Sequence, residues 1–433
     1  MDPTRHQRIG IVGAGLAGLA TAAYLGRAGY RVSVFERAEM LGGRAATVER
    51  NGYLHNLGPH ALYQGGSATS VLEELGVSYF GGRPDVQGVA VRRGKTFRLP
   101  VGGRSLLTTR LFGVRARVEA AQQLLVLRRA AQDAQPMREW LSGVSQPAAR
   151  EYIEAITRLA TYANAPGHIS VNDASRQLAS SGAGVIYLDG GWQTLVNALR
   201  DAAVAAGASV RPGERVARVV AGAPARRLLL ANGAEEGFDA VVLAVPPSVA
   251  HDLAPWNAAL GRHAASAVPA RAACLDVGLT KLPNPRRRFA LGIDEPFYLS
   301  VHSIYAKLAP EGRVMVSAAR YIPAGEDNDA ERDLEGLERF LDTVQPGWRE
   351  FEEHRQFLPN MVVSSAVPRF DRGGIAGRPA PSHTGTPGLF VAGDWVGQGG
   401  WLADGTLGSA REAFHEVSDY VAAQAERPLA VVS

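Results

Sequence analysis

The sequence predicts an α/β fold, in which a Rossmann-type dinucleotide-binding domain is interrupted by an inserted α+β domain. Three observations lead to this prediction. The chain opens with an apolar strand, a glycine-rich turn, a helix and a second strand. Residues 104–160 carry long helical patterns, and strand patterns return at 208–220 and 227–245. A last apolar strand at 388–395 leads into another glycine-rich turn. Strands separated by helices favour a parallel sheet with helices packed on it.

The opening unit contains a complete phosphate-binding pattern. Residues 9–12 form the first strand, and Gly13, Gly15 and Gly18 follow it directly as G-x-G-x-x-G. In this pattern the first glycine permits the turn and the second lets a pyrophosphate approach the backbone. The third glycine allows close contact between helix and strand. The pattern therefore predicts phosphate binding directly after the first strand.

The helix and the second strand complete the unit. Leu16 and Ala17 begin the helix, whose amino terminus is expected to face the phosphates. The second strand, residues 32–35, ends at Glu36, eighteen residues after Gly18. A carboxylate at this point accepts hydrogen bonds from a ribose. Strand, turn, helix and acid in register predict a dinucleotide site.

The composition of the chain argues against several classes of protein. Of 433 residues, 46% are hydrophobic and 20% are charged, which is typical of a folded globular protein. Lys and Arg number 46 against 42 Asp and Glu, an excess too small to predict nucleic-acid binding. The single cysteine, Cys274, excludes an internal disulfide, and the 10 histidines show no tight metal-ligand spacing. We expect no metal site and a reducing, cytoplasmic location.

A second glycine loop follows the acid. Arg37 comes directly after it, Gly42, Gly43 and Arg44 complete an ER-x4-GGR segment, and residues 57–63 read LGPHALY. Here the sequence resembles the flavin-containing amine oxidase superfamily, which includes monoamine oxidases, protoporphyrinogen oxidases and bacterial phytoene desaturases. The resemblance implies a glutathione-reductase-like FAD-binding domain. It also implies non-covalent FAD, since no cysteine lies near the C-terminal turn.

The resemblance implies which residues contact FAD. The ER-x4-GGR segment is expected to bind the phosphates, and Gly58, Pro59 and His60 are expected to pass beside the flavin ring. Residues 187–199, with the sequence YLDGGWQTLVNAL, resemble the helix start at which the chain re-enters the FAD domain. Val216 lies on a strand that resembles the one reaching the adenine.

The C-terminal glycine-rich turn is expected to hold the other end of the cofactor. Gly393 and Asp394 resemble the family's Gly-Asp pair, so Asp394 is expected to hydrogen-bond to the ribityl or phosphate portion. The last helix is predicted to start near Gly405 and Thr406, with Asp404 or Thr406 as its N-cap. Its amino terminus would favour negative charge on the reduced flavin ring.

Catalysis by a flavin needs a protein that positions a C–H bond and excludes water. The candidates are His60, Tyr63, Trp401 and Asp404, because their segments are expected to flank the ring. His60 would orient the substrate or carry a proton; the alternative is a histidine hydrogen-bonded only to backbone or FAD. Trp401 would stack on the substrate or seal the pocket; the alternative is a core residue.

The predicted domains alternate along the chain. The FAD domain is expected in three pieces, residues 1–80, 186–250 and 381–428. The substrate domain is expected in two pieces, a largely helical one at 81–185 and one of mixed sheet and helices at 251–380.

These observations favour an FAD-dependent oxidoreductase that takes hydride from an organic substrate and forms a C=C or C=N bond. Amine oxidases of the superfamily usually place a lysine before a strand where this chain has Arg271, which favours the desaturase side and an apolar substrate. The reduced flavin would be reoxidised by O2, a quinone or another acceptor. An amine or amino-acid oxidase that produces H2O2 is the first alternative. A non-enzymatic prenyl- or lipid-binding protein on the same scaffold is the second.

A basic amphipathic region raises the question of membrane contact. Arginines interleave with leucines and valines across residues 104–140. Such a helix can lie on an anionic membrane surface, where an apolar substrate would be collected. A solvated helical face is the preferred interpretation, and peripheral membrane contact is kept as the alternative. The sequence makes no prediction of oligomeric state.

Overall fold

The computed structural model describes residues 7–85, 87–129, 133–222 and 226–426. The helices within them are α1 (Leu16–Arg27), α2 (Ser67–Glu74), α3 (Gly103–Thr108), α4 (Val114–Arg129), α5 (Met137–Ser142), α6 (Pro147–Thr161), α7 (Val171–Ser181), α8 (Gln193–Ala205), α9 (Pro247–Leu253), α10 (Ala258–Ser266), α11 (Ala330–Val344) and α12 (Leu402–Ala425).

The strands vary in length from two to thirteen residues. They are β1 (Arg8–Val12), β2 (Arg31–Phe35), β3 (Thr47–Arg50), β4 (Tyr53–Asn56), β5 (Leu62–Tyr63), β6 (Gly81–Gly82), β7 (Val89–Arg92), β8 (Lys95–Arg98), β9 (Val185–Leu188), β10 (Ser209–Arg211), β11 (Val216–Val220), β12 (Arg226–Leu230), β13 (Glu235–Phe238), β14 (Ala240–Leu243), β15 (Ala270–Leu279), β16 (Phe289–Gly292), β17 (Phe297–Ser300), β18 (Val314–Ile322), β19 (Glu352–Ser364) and β20 (Leu389–Val391).

The first of the two largest sheets is parallel and has five strands, in the order β10-β2-β1-β14-β20. Its central strand β1 is apolar because both of its faces are covered. Ile9 and Ile11 pack toward α1, α2, α8 and α12, and Val12 packs toward the three-stranded sheet β11-β12-β13. The strand order reverses beside β1, and ligands of open parallel sheets bind outside the carboxyl ends of the strands at such a point.

The second large sheet is mixed and has seven strands, in the order β19-β15-β18-β17-β16-β7-β8. The ten-residue strand β15, which lies beside the edge strand β19, alternates between two environments, as the period of a strand requires. Leu275 and Val277 pack against the apolar face of α11, while Ala272 and Cys274 pack in a cluster of tyrosines on the opposite face. That opposite face supplies one wall of the site described below.

Helices α3 to α7 share one apolar cluster, which also contains Trp401 at the start of α12. The helical content predicted for this region is therefore confirmed, but the prediction missed the strands β7 and β8, which precede α3 and join the edge of the seven-stranded sheet. Strands β15, β17 and β18 lie in the piece that was predicted to combine sheet and helices, residues 251–380. The predicted domain boundaries stay predictions.

Candidate functional site

The first glycine turn leaves β1 at the carboxyl edge of the parallel sheet. Gly13 has φ +103°, a conformation that side chains with a Cβ rarely adopt, and its N–H donates to the carbonyl of Phe35 at 2.8 Å. The Glu36 carboxylate accepts the N–H of Ala14 at 2.9 Å. A Cβ added at Gly18 would overlap the carbonyl oxygen of Gly13. The turn is therefore fixed by backbone contacts that only glycine allows.

Gly15 has a different environment. It lies directly before α1 with φ −81°, and no side chain caps the first turn of that helix. A Cβ added at Gly15 would meet only the carbonyl oxygen of Gly42, at 3.7 Å. The amide groups of the first helical turn, which begins with Leu16 and Ala17, have no partner within the helix. An uncapped helix terminus beside an open backbone provides the donors that a phosphate requires.

The second glycine loop packs on the first. The N–H of Gly42 donates to the carbonyl of Ala14 at 3.0 Å, and Gly42 and Gly43 have φ values of +115° and +54°. Arg44 follows in a short helical turn, whereas Arg37 is exposed. The structure thus brings together the two glycine segments that were predicted to bind phosphate.

Arg44 and Asp394, which were predicted separately, form one ion pair. Two hydrogen bonds join the guanidinium to the carboxylate, at 2.7 and 2.9 Å, and the amide of Ser365 donates to Asp394 at 2.7 Å. The Asp394 side chain is 3% exposed and that of Arg44 is 37% exposed. Burial by itself would raise the pKa of Asp394, but the Arg44 charge and these hydrogen bonds outweigh it and hold the pKa below its ordinary value.

The C-terminal turn lies at the same edge, because β20 runs parallel to β14 and ends just before it. Gly393 has φ +141°, and its N–H donates to the Ser409 hydroxyl at 2.9 Å. The predicted start of the last helix near Gly405 is wrong: α12 begins at Leu402, with Trp401 before it and no side-chain cap. The observed start leaves the amino terminus of α12 without a side-chain acceptor, as at α1.

The two predicted N-cap residues therefore lie inside α12. The Asp404 carboxylate accepts the amide of Ala68, in the first turn of α2, at 2.8 Å. The Thr406 hydroxyl donates to the carbonyl of Leu402 one turn earlier, at 2.9 Å. Asp404 thus stabilises the amino terminus of a neighbouring helix instead of its own. Burial raises its pKa, and the Ala68 hydrogen bond opposes that rise.

His60 and its neighbours line the space between the two sheets. Gly58 has φ +87°, and an added Cβ would press on the Cys274 sulfur at 3.0 Å. Nδ1 of His60 lies 2.8 Å from the Gly58 carbonyl, and its ring packs on Trp192 with 4.9 Å between centroids. Pro59 and His60 are half-buried. Burial lowers the pKa of His60, so the imidazole is neutral at neutral pH.

A tyrosine cluster packs against Ala272 and Cys274 on this face of the seven-stranded sheet. Its members are Tyr63, Tyr162, Tyr298 and Tyr321, and all four are buried. The Tyr63 hydroxyl donates to the carbonyl of Ala160 at 3.0 Å, so its phenol is already bonded to backbone. Burial raises the pKa of all four phenols, which remain protonated. Leu402, at the start of α12, packs against the cluster.

His302 and Cys274, which lie beside the tyrosine cluster, are also uncharged. His302 lies under Tyr187, with 3.8 Å between ring centroids, and Nε2 of His302 is 3.1 Å from the Tyr298 hydroxyl. Burial, aided by repulsion from His60, lowers the pKa of His302 to about 3. Burial raises the pKa of the Cys274 thiol. These groups are neutral at neutral pH and offer no charged acid or base.

Sequence reasoning missed a buried arginine beside the tyrosine cluster. Arg158, on α6, pairs with Glu154 at 3.1 Å through one nitrogen. Its Nε and the other terminal nitrogen are buried and have no hydrogen-bond partner among the described residues, and neither has the Tyr321 hydroxyl. The residue stands four positions after Glu154 on a helix, a spacing that indicates an ordinary surface pair. Only the tertiary structure shows that it is buried.

Sequence reasoning also missed the residues that hold the glycine turns. Ser365 and Ser409 bind Asp394 and Gly393, and the spacing of these residues carries no motif. Val216 begins β11, and its side chain is buried in the core between the parallel sheet and the three-stranded sheet. Its predicted contact with the adenine stays a prediction.

Two classes of feature were not found in the part of the chain that the structure describes. Within it, no three His, Cys, Asp or Glu side chains come together as a metal-binding group. Nor does any of its helices combine the length and the apolar character required to cross a bilayer.

The donor set at the sheet edge fits a flavin dinucleotide. Two helix termini without side-chain caps, at Gly15 and Trp401, offer amide donors for the two ends of such a ligand. The open backbone at Gly15 suits a pyrophosphate, and Glu36 retains lone pairs for a ribose hydroxyl after binding the amides of Ala14 and Ala38.

Comparison with known proteins points in the same direction. The family described as flavin containing amine oxidoreductase matches residues 16–417. A phytoene dehydrogenase from Streptomyces griseus is 28% identical over 303 residues, which cover 60% of this chain and 58% of that protein. An L-amino-acid oxidase from Crotalus adamanteus is 46% identical over 56 residues, 13% of this chain and 11% of that protein. The chain thus spans less than two thirds of the length of the curated relatives it matches.

Solved structures share the fold over nearly the whole chain. An oxidoreductase from Methanosarcina mazei superposes with a TM-score of 0.76 at 18% identity, covering 95% of this chain and all of the other. At this level of identity the likeness shows the fold alone. Together with the parallel sheet, it confirms the predicted α/β class.

Proposed function

Because this chain belongs to the family of flavin-containing amine oxidoreductases, we propose that it is an FAD-dependent dehydrogenase of the desaturase type. The substrate would be a largely apolar organic molecule that loses a hydride and a proton and gains a C=C or C=N bond. The family implies a flavin; the choice of FAD, bound without a covalent link, belongs to this proposal.

The observation that carries the proposal is the meeting of three glycine-rich turns at one edge of the parallel sheet. They come from residues 13–18, 42–44 and 393–400, and they adjoin two helix termini without side-chain caps. A dinucleotide has phosphates at its centre and rings at its ends, so it needs donors spread along such an edge. A mononucleotide would leave one of the two termini unused.

Different residues of the chain would bind different parts of the cofactor. Backbone amides at the start of α1 would hold the phosphates, and Glu36 would accept a ribose hydroxyl. Asp394 holds Arg44 and the backbone of Ser365 in place, and it acts as a positioning residue. When bound, the flavin ring accepts the hydride, and the protein has only to position the C–H bond and exclude water.

The neutral wall supports an apolar substrate. The tyrosine cluster and His302 carry no charge at neutral pH, so a substrate without charge loses no ionic hydration when it packs there. His60, His302, Cys274 and the tyrosine cluster supply no ionised acid or base, which suits hydride removal from carbon. The phytoene dehydrogenase relative, as named, acts on a substrate of this class.

A second candidate function, amino-acid oxidation, is favoured by one observation. Arg158 has two buried nitrogens without partners beside the Tyr321 hydroxyl. Adjacent guanidinium nitrogens and a phenol form a donor set that suits a carboxylate. The match to an L-amino-acid oxidase lies in a short segment and supports this candidate only weakly.

One experiment tests the proposal and separates the two candidates. Purified protein is expected to show flavin absorbance and to release FAD on denaturation. Anaerobic bleaching of that absorbance would then be followed with apolar polyenes, porphyrinogens, amines and amino acids. We expect bleaching by a polyene and none by amino acids. A colourless protein would contradict the whole proposal, and rapid reduction by amino acids with peroxide in air would replace the first candidate by the second.

Arg158→Met gives an independent control for this experiment. The substitution keeps an unbranched side chain as far as the position of Nε and removes the guanidinium donors. For a polyene substrate we expect an unchanged rate of bleaching. For an amino-acid substrate, loss of the carboxylate contact should raise KM with little change in kcat.

A further inference from the structure

An exposed apolar surface lies on and beside α3 and α4, and it has more exposed large apolar side chains than any other stretch of the described residues. Large apolar side chains with substantial exposure number eleven in this part of the chain, and six of them fall between residues 101 and 126. Their exposed fractions run from 45% to 68%. The six are Val101, Leu107, Val114, Val118, Leu125 and Val126. Clustering of this kind marks an interaction site, whereas single exposed apolar residues do not.

The helix α4 exposes larger apolar side chains than most of those that it buries. Its buried residues are Ala116, Ala120 and Leu127. Val114, Val118 and Leu125, at spacings of four and seven residues, form a stripe on its outer face. A surface helix normally turns its larger apolar side chains toward the core and its polar ones toward water. The outer stripe therefore has no partner within the described chain.

The charges around this stripe are almost entirely positive. Residues 101–129 contain six arginines and a single acid, Glu119. The Glu119 carboxylate accepts the amides of Ser145 and Gln146, each at 2.7 Å, so it is occupied by the loop before α6. The exposed arginines are Arg104, Arg110, Arg115, Arg128 and Arg129, and none of them forms an ion pair with any residue that the structure describes.

We propose that this surface, which we call the α3–α4 face, docks on an anionic lipid bilayer. Short aliphatic side chains can enter the headgroup boundary, while the flanking arginines bind lipid phosphates. Charge complementarity therefore selects an anionic membrane over a protein partner.

The position of the face connects docking with the candidate site. One apolar cluster extends from Leu106 and Ala120, beneath the face, to Trp401 at the start of α12. Docking through the α3–α4 face would hold the bilayer, and a substrate dissolved in it, beside the helical unit that packs on Trp401. This role in substrate supply rests on the proposed function, but docking itself does not.

Vesicle flotation of the flavin-loaded protein tests the proposal. Vesicles of phosphatidylcholine alone are compared with vesicles that contain equal parts of phosphatidylcholine and phosphatidylglycerol, at low and high salt. We expect flotation with the anionic vesicles and a large loss at high salt, because exposed charges are screened. The absence of binding to anionic vesicles would overturn the proposal.

Two double variants locate the contact. Val114→Glu with Leu125→Glu, and Arg115→Gln with Arg129→Gln, should each lower the partition coefficient by about tenfold or more. The matched control is Val204→Glu with Val362→Glu, since both valines are exposed elsewhere on the molecule. Retained flavin absorbance shows that each variant is folded. Equal partition of all variants would place the contact elsewhere.

Sedimentation velocity without lipid supplies the remaining outcome. We expect no association through the α3–α4 face. Self-association that the Val114→Glu, Leu125→Glu variant abolishes would identify the face as a protein interface and overturn membrane docking. Failure of docking leaves anaerobic flavin reduction in solution unaffected, so the two proposals fail separately.

Discussion

At the scale of single residues, the first turn uses glycine for two different reasons. Gly18 lies against the carbonyl of Gly13, so that no Cβ fits between helix and strand. Gly15 lies in an ordinary extended conformation with open space beside it. The fold alone therefore explains Gly18, while Gly15 is left to be explained by a ligand.

This difference predicts the behaviour of Gly15→Val. A Cβ at Gly15 would make only an ordinary contact, 3.7 Å from the Gly42 carbonyl oxygen, but the side chain would occupy the place where a pyrophosphate approaches the backbone. We expect the variant to fold and to lose bound flavin, as measured by the ratio of visible to ultraviolet absorbance. Gly113→Val, at another glycine with open space, is the matched control and should keep its flavin. Full flavin occupancy in Gly15→Val would refute the phosphate assignment.

Asp394 predicts a pH-dependent contribution to stability. Its pKa is lowered in the folded protein, so its stabilisation is complete above the ordinary aspartate value of about 3.9 and is lost as the pH falls below it. Asp394→Asn should lower the free energy of unfolding by about 2 kcal/mol at neutral pH. We place the loss below that of a fully buried pair because Arg44 is 37% exposed. Denaturant unfolding at a series of pH values should show the difference shrinking below about pH 4.

At the scale of elements, one carboxylate joins two helices. Asp404 belongs to α12 and binds the first turn of α2, and Gly66 makes room for it because an added Cβ would overlap the carboxylate. Asp404 therefore orients the start of α12 against a neighbouring helix.

Asp404 predicts the opposite pH dependence from Asp394. Its folded pKa is raised, so the folded state binds more protons than the unfolded state just above the ordinary value, and stability falls as the pH rises through that window. Asp404→Asn keeps an acceptor for Ala68 without a charge, and we expect it to gain stability relative to wild type from about pH 4 upward. Asp404→Ala loses the acceptor and should be less stable than Asp404→Asn by about 1 kcal/mol. A constant difference between Asp404→Asn and wild type across this range would contradict the assignment.

The start of α12 shows what the sequence could predict and what it could not. Local rules placed the Gly13–Gly18 turn, Glu36 and the apolar strands correctly, because each is defined by residue types at short spacings in the sequence. The same rules placed the helix start at Gly405, since glycines are poor helix formers and Asp404 is a good N-cap. The contact with Ala68 lies 336 residues away and overrides that preference.

The candidate site, like the start of α12, could be predicted from the sequence only in part. Each glycine segment could be located, but the Arg44–Asp394 pair joins residues 350 positions apart, and no spacing rule connects them. The buried environment of Arg158 depends on how α6 packs on the seven-stranded sheet, and a helical pattern records only the spacing. The roles of His60, Tyr63 and Trp401 toward a substrate stay predictions.

At the scale of the whole molecule, the cofactor site draws on chain segments that are far apart in sequence. A ligand that binds only the folded protein stabilises it by mass action, by about 2.7 kcal/mol at a hundredfold excess over Kd. We therefore expect added FAD to raise the melting temperature of protein stripped of flavin, in a concentration-dependent manner. Gly15→Val should show no such rise, and a rise equal to that of wild type would separate FAD binding from the first turn.

The order of the parallel sheet has a consequence for synthesis of the protein. The central strand is made first, but the strand that carries Gly393 and Asp394 to the same edge is made about 380 residues later. At usual translation rates this interval is on the order of 20 to 80 s. Throughout that time the nascent chain holds half of the residues that would bind the cofactor, so flavin can be captured firmly only once residues 393–400 have left the ribosome.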